Sequence, residues 1–130
     1  DRRVAPDQRL AIGVIVTGLI SVFGAAALQP AAPQQAHAAW DVVAEIGAIL
    51  FFGLAFFGAY ALLEGRTRWG YTGLAAASYV QLVLVVGCPV SGHHAFRAWW
   101  AGQLALALAF TAVSTVAAAI TRPGSRRADS

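Results

Sequence analysis

The chain is predicted to be an all-α integral membrane protein: a four-span antiparallel transmembrane helix bundle with both termini cytoplasmic. Three observations lead there. First, its 130 residues are 58% hydrophobic and only 12% charged, far from the composition of an average soluble domain. Second, the apolar residues form four continuous runs, at about 10–28, 42–63, 71–87 and 98–120, not the amphipathic stripes of a water-soluble helix. Third, eight of the nine basic residues lie on one side of that four-run pattern. Arg2, Arg3 and Arg9 precede the first run, Arg66 and Arg68 divide the second from the third, and Arg122, Arg126 and Arg127 follow the fourth. Cytoplasmic loops carry the excess of Lys and Arg in membrane proteins, so all three clusters are assigned to the inside.

Crossing ~30 Å of hydrocarbon takes about 20 helical residues, with a range of about 17–25. All four runs reach that length, the third only just. Strands of a membrane barrel would be about 10 residues long with strict alternation, which excludes that class. Residues 1–130 therefore read as a single transmembrane domain.

The first run follows an Arg-rich start and precedes a small-x-small site at Ala36-His37-Ala38, the layout of a signal peptide. It is longer than a usual signal core and is read as a retained span. Gly13, Thr17, Ser21 and Ala25 recur at every fourth position, a spacing that lets another helix approach closely. Pro30 and Pro33 end this helix. Nothing then interrupts a helix before Gly47, so the second starts outside its apolar run, with His37, Asp41 and Glu45 on one stripe. Phe51, Phe52, Phe56 and Phe57 face lipid or neighbouring helices, and Glu64-Gly65-Arg66 makes a polar turn. In the fourth run, Ala101, Ala105 and Ala109 and then Thr111, Thr115 and Ala119 repeat the small-residue spacing. Trp40, Trp99 and Trp100 lie at one set of boundaries and Trp69, with Tyr71, at the other. Aromatic rings with a polar edge favour headgroup depth, which supports these limits.

The net charge of +3 and pI near 9.8 do not imply nucleic-acid binding. The arginines flank spans, where topology and anionic headgroups account for them, and no aromatic-interleaved basic patch exists. The expected partners are membrane lipids and other membrane protein subunits. Nine Arg with no Lys, in a chain rich in Ala and Gly, point to a GC-rich bacterial genome and so to a bacterial cytoplasmic membrane. One Cys cannot form an internal disulfide.

Two groups of side chains could carry chemistry. The outer loop Gly87-Cys88-Pro89-Val90-Ser91-Gly92-His93-His94 offers thiolate and imidazole, with His37 on the same side. These are ligands for copper, zinc or haem iron. Against a metal, adjacent histidines point in different directions, and the paired spacing of a zinc site is missing. A Cys88–His or Ser91–His93 nucleophile pair has no supporting context, so no catalytic residue is assigned. The second group is a polar layer of Ser21, Glu45, Gln81 and Gln103, one from each span. At ~1.5 Å per residue they fall at a common depth in the outer third of the bilayer. An unpaired Glu45 there costs a few kcal/mol. The layer is either hydrogen-bond glue between helices or the lining of a site for a quinone, a lipid or a proton path; glue is favoured. Asp41 and Arg97, at the outer ends of spans two and four, are expected to form an interfacial ion pair.

The leading functional expectation is a non-catalytic accessory or assembly subunit of a larger envelope complex, of respiratory or membrane-oxygenase type. Two alternatives stand beside it. One is an outer-face metal- or haem-binding redox protein using Cys88, His93 and His94. The other is a small transporter or lipid- or quinone-binding protein using the polar layer.

Overall fold

A computed structural model describes residues 6–28, 38–90 and 98–121. Each apolar run is a helix: α1 (Pro6–Leu28), α2 (Ala38–Leu63), α3 (Thr67–Val90) and α4 (Ala98–Ile120). All four are long and apolar enough to cross a membrane, the architecture of a multi-pass membrane protein. Hydropathy locates where a helix becomes apolar, not where it begins, so three of the helices extend beyond their runs. α1 opens on Pro6, where a missing N–H is harmless because no first-turn N–H has an intrahelical partner. The third run looks shortest by hydropathy, yet α3 is 24 residues long and runs on through Cys88 and Pro89. Pro89 lacks the N–H that would bond the carbonyl four residues back. That carbonyl belongs to Val85, and the indole Nε1–H of Trp100 on α4 donates to it at 2.8 Å.

Between α2 and α3 the chain reverses in one turn. Gly65 adopts φ +77°, a left-handed conformation open to glycine without penalty. Its N–H donates to Leu62 O at 3.1 Å, and that of Arg66 donates to Ala61 O at 2.8 Å. This pair of bonds is the Schellman closure that satisfies the last carbonyls of a helix.

α2 packs on α3, α3 on α4, and α4 on α1. Early residues of one helix meet late residues of another, as with Gly70 and Gly58 or Gly102 and Leu28, so packed neighbours are antiparallel. Over the described residues α1 and α2 do not pack along each other, and the ring of four helices stays open on that side.

Apolar side chains gain nothing by leaving hydrocarbon for a protein interior, so close approach and hydrogen bonds must join the helices. The α2–α3 contact depends on approach. A Cβ on Gly58 would lie 2.7 Å from the Gly70 carbonyl oxygen and 2.9 Å from the Leu74 nitrogen. The α1–α4 contact sets large side chains over glycines: Phe110 over Gly18, Leu106 over Gly24 and Leu28 over Gly102. The α3–α4 contact is polar at its centre. Ser78 and Ser114 are fully buried with their hydroxyl oxygens 3.2 Å apart, and Thr111 Oγ1 reaches the Ser78 carbonyl at 3.5 Å.

Some expected faces are rotated. The buried side of α1 runs through Val14, Gly18 and Ser21; Gly13 is exposed, and the Thr17 hydroxyl donates to its own helix at Gly13 O, 2.7 Å away. A strict four-residue repeat drifts by about 40° per step on a helix of 3.6 residues per turn, so only its outer half meets a neighbour. Ala101, Ala105 and Ala109 are exposed, and α4 buries Gln103, Ala107, Phe110, Ser114 and Ala117 instead. Tyr71 is fully buried, about one turn into α3, which begins at Thr67. Trp69 stays exposed, with the Arg68 guanidinium 5.8 Å from its ring centre. Of the four phenylalanines of α2 only Phe51 is buried.

The glycine contacts make a paired test. Gly58→Ala forces backbone apart and is expected to cost about 1–3 kcal/mol, as overpacking does. Gly53→Ala, with no atom within 4 Å of the new Cβ, should stay within about 0.5 kcal/mol of the parent. Thermal unfolding of both variants in detergent measures the difference.

Candidate functional site

The open side between α1 and α2 is a groove floored by α3 and α4. It holds two adjoining cavities of about 340 and 320 Å³, with Val22, Phe51 and Phe52 lining both. Toward the Leu28 end, Asp41, Gln81, Cys88 and Gln103 stand among alanines of α1 and α2. Further along, the lining is wholly apolar, with Leu19, Phe23, Ala55 and Phe56 on the walls and Leu74 and Phe110 beneath.

The α2 wall follows from helical spacing: residues three and four apart share a face, and Phe51, Phe52, Ala55, Phe56 and Ala59 do so here. Its rings touch in sequence. Phe51 meets Phe52 edge to face, with centroids 5.3 Å apart, and Phe52 stacks on Phe56 at 6.3 Å.

At the polar end the two glutamines tie three helices together. Ser21 Oγ donates to Gln81 Oε1 at 3.0 Å, and Gln81 Nε2 lies 3.5 Å from the Ser21 carbonyl. Gln103 Nε2 donates to the Ala25 carbonyl at 2.8 Å. All three polar side chains are buried. A backbone carbonyl only accepts, so the nitrogen of Gln103 must face Ala25. That leaves Oε1 as its acceptor, with no hydrogen bond from a described residue.

The structure therefore joins Ser21, Gln81 and Gln103 but not Glu45, which is exposed on α2 and lines neither cavity. Asp41 is exposed at the mouth of the groove; its expected partner Arg97 lies outside the described residues. So do His37, His93 and His94, and with them the metal reading. Of its four ligands only Cys88 is described, half-buried on the groove wall, and no metal-sized cluster of His, Cys, Asp and Glu occurs among the described residues.

Sequence reasoning missed two features. The Ser78–Ser114 pair gave little signal, since a serine in an alanine-rich run barely changes hydropathy. The groove gave none, because it is a place where two helices do not meet.

The hydrogen bonds at the polar end predict a small coupling. In a double-mutant cycle of Ser21→Ala and Gln81→Leu, read by unfolding in detergent, the coupling energy should be about 0.6 kcal/mol and no more than about 1.7.

No protein-family model, curated protein or solved structure matches the chain, so any functional reading rests on this geometry.

Proposed function

We propose that this protein is a non-catalytic, multi-pass protein of a bacterial cytoplasmic membrane that holds a membrane amphiphile in the groove between α1 and α2. One observation carries the reading: the groove divides along its length into an end with amides and a carboxylate and a remainder lined only by hydrocarbon. Pockets for small ligands combine an apolar lining with a few placed polar groups in this way. A ligand with a polar head and an apolar tail matches the division. With the arginine clusters on the cytoplasmic side, both termini lie inside and the head lies in the outer leaflet, at the Cys88 end of α3.

The accessory-subunit reading draws on a different observation. α1 packs mainly against α4, meets α3 through Ser21 and Gln81, and leaves Ile12, Leu19, Ile20 and Phe23 more than half exposed. A helix of a larger complex seated on that surface would close the ring.

One preparation separates the two. The protein is purified from native membranes in mild detergent, then analysed for extracted lipids, co-eluting proteins and metal. About one amphiphile per chain, lost when Ala55→Trp fills the apolar cavity, is the expected outcome. Stoichiometric large subunits and an empty groove would reverse the ranking. About one metal or haem per chain would instead return the site to Cys88, His93 and His94.

A further inference from the structure

Resting on the groove-binding reading above, we infer that the amphiphile is an isoprenoid quinol, held in its reduced, phenol-bearing form by Gln103 Oε1 and the Asp41 carboxylate beside the Phe51–Phe52 wall. The first argument is the balance of donors and acceptors. Gln103 is only 6% exposed, and its nitrogen is committed to Ala25 O. That bond uses one of its two N–H groups and leaves the other N–H and the carbonyl oxygen, an acceptor, on a residue that lines the cavity; a phenol O–H can serve both, a ligand carbonyl only the N–H. A buried acceptor without a donor is costly, a cost that a ligand O–H recovers and a ligand carbonyl does not. Asp41, at the mouth of the same cavity, presents a carboxylate, which also only accepts. Gln81 meets Ser21 through both amide atoms and keeps one further N–H. The polar end therefore sets the acceptors of Gln103 Oε1 and Asp41 beside one spare N–H on each glutamine, a mixed set that a hydroxyl, both donor and acceptor, satisfies more fully than a carbonyl.

The second argument is the wall. Phe51 and Phe52 line both cavities, where the polar end gives way to the apolar one, and Phe52 stacks on Phe56 further along. A flat aromatic head finds stacking and edge partners there, which a glycerol-based head does not use. Beyond it the lining is apolar throughout, as an isoprenoid tail requires. Oxidation of the head turns both hydroxyls into carbonyls and sets them against Gln103 Oε1 and Asp41, so the oxidised form binds less tightly. Binding that favours the reduced form raises the midpoint potential of the bound couple by about 30 mV for each tenfold of preference.

The test uses the full chain in lipid nanodiscs with decylubiquinol and decylubiquinone as probes, held anaerobically, with empty nanodiscs as the partition control. Quenching of tryptophan fluorescence reads binding. The quinol should bind at least about tenfold more tightly than the quinone, and Gln103→Leu should reduce that preference to under about threefold. Asp41→Asn, at an exposed side chain whose loss spares the fold, should reduce it as well. If both probes bind equally and Ala55→Trp abolishes both, the quinol inference falls while the groove stands as a binding site. If binding of both is indifferent to Ala55→Trp, the groove reading falls with it.

Discussion

Hydrocarbon solvates a leucine as well as a protein interior does, so these four helices hold together only where backbones come close or polar side chains meet. Each packed interface solves this differently. α2 and α3 use bare glycine backbone at Gly58, Gly70 and Gly73. α1 and α4 fit large side chains onto glycines. α3 and α4 bury serine hydroxyls against each other and repair the carbonyl that Pro89 leaves open with the Trp100 indole. Where none of these devices operates, between α1 and α2, the helices stand apart. The groove is thus the complement of the packing chemistry, and the proposed ligand lies within it.

The polar end of the groove shows how one set of side chains serves two purposes. Ser21, Gln81 and Gln103 tie α1 to α3 and α4 through hydrogen bonds. Gln81 and Gln103 also line a cavity. A glutamine carries one acceptor and one two-proton donor, and a single interhelical bond does not exhaust it. Glue and lining were alternatives only while depth was known and direction was not.

That distinction accounts for what the sequence made legible. The helices themselves were legible because hydropathy is a one-dimensional signal, and Leu28, Leu63 and Ile120 end α1, α2 and α4 at the limits of their runs. Gln81 and Gln103 stood out as polar residues in apolar runs, and their depth followed from residue counting. Azimuth did not follow. Successive residues turn by about 100°, and which side of a span faces its neighbours depends on the neighbours. Glu45 therefore shares a depth with the glutamines and not their company. Ala101, Ala105 and Ala109 form an exposed stripe for the same reason: alanine is as content against lipid as against protein. Tyr71 opens its apolar run and yet lies inside its helix, since α3 begins before its hydrophobicity does.

The open ring also has an order in time. A chain made from its N-terminus brings α1 into the membrane first, yet α4, the helix against which α1 packs, is made last. α2 and α3, joined by the Gly65 turn, can form their hairpin as soon as both exist, and α4 can then dock on α3. α1 must wait beside them for its main partner, with only the Ser21–Gln81 contact to hold it to α3. The contact between the first helix and the last spans the largest separation in the chain, the kind of pairing that forms slowly. Assembly thus finishes with α1, and the groove takes its final shape in the same step.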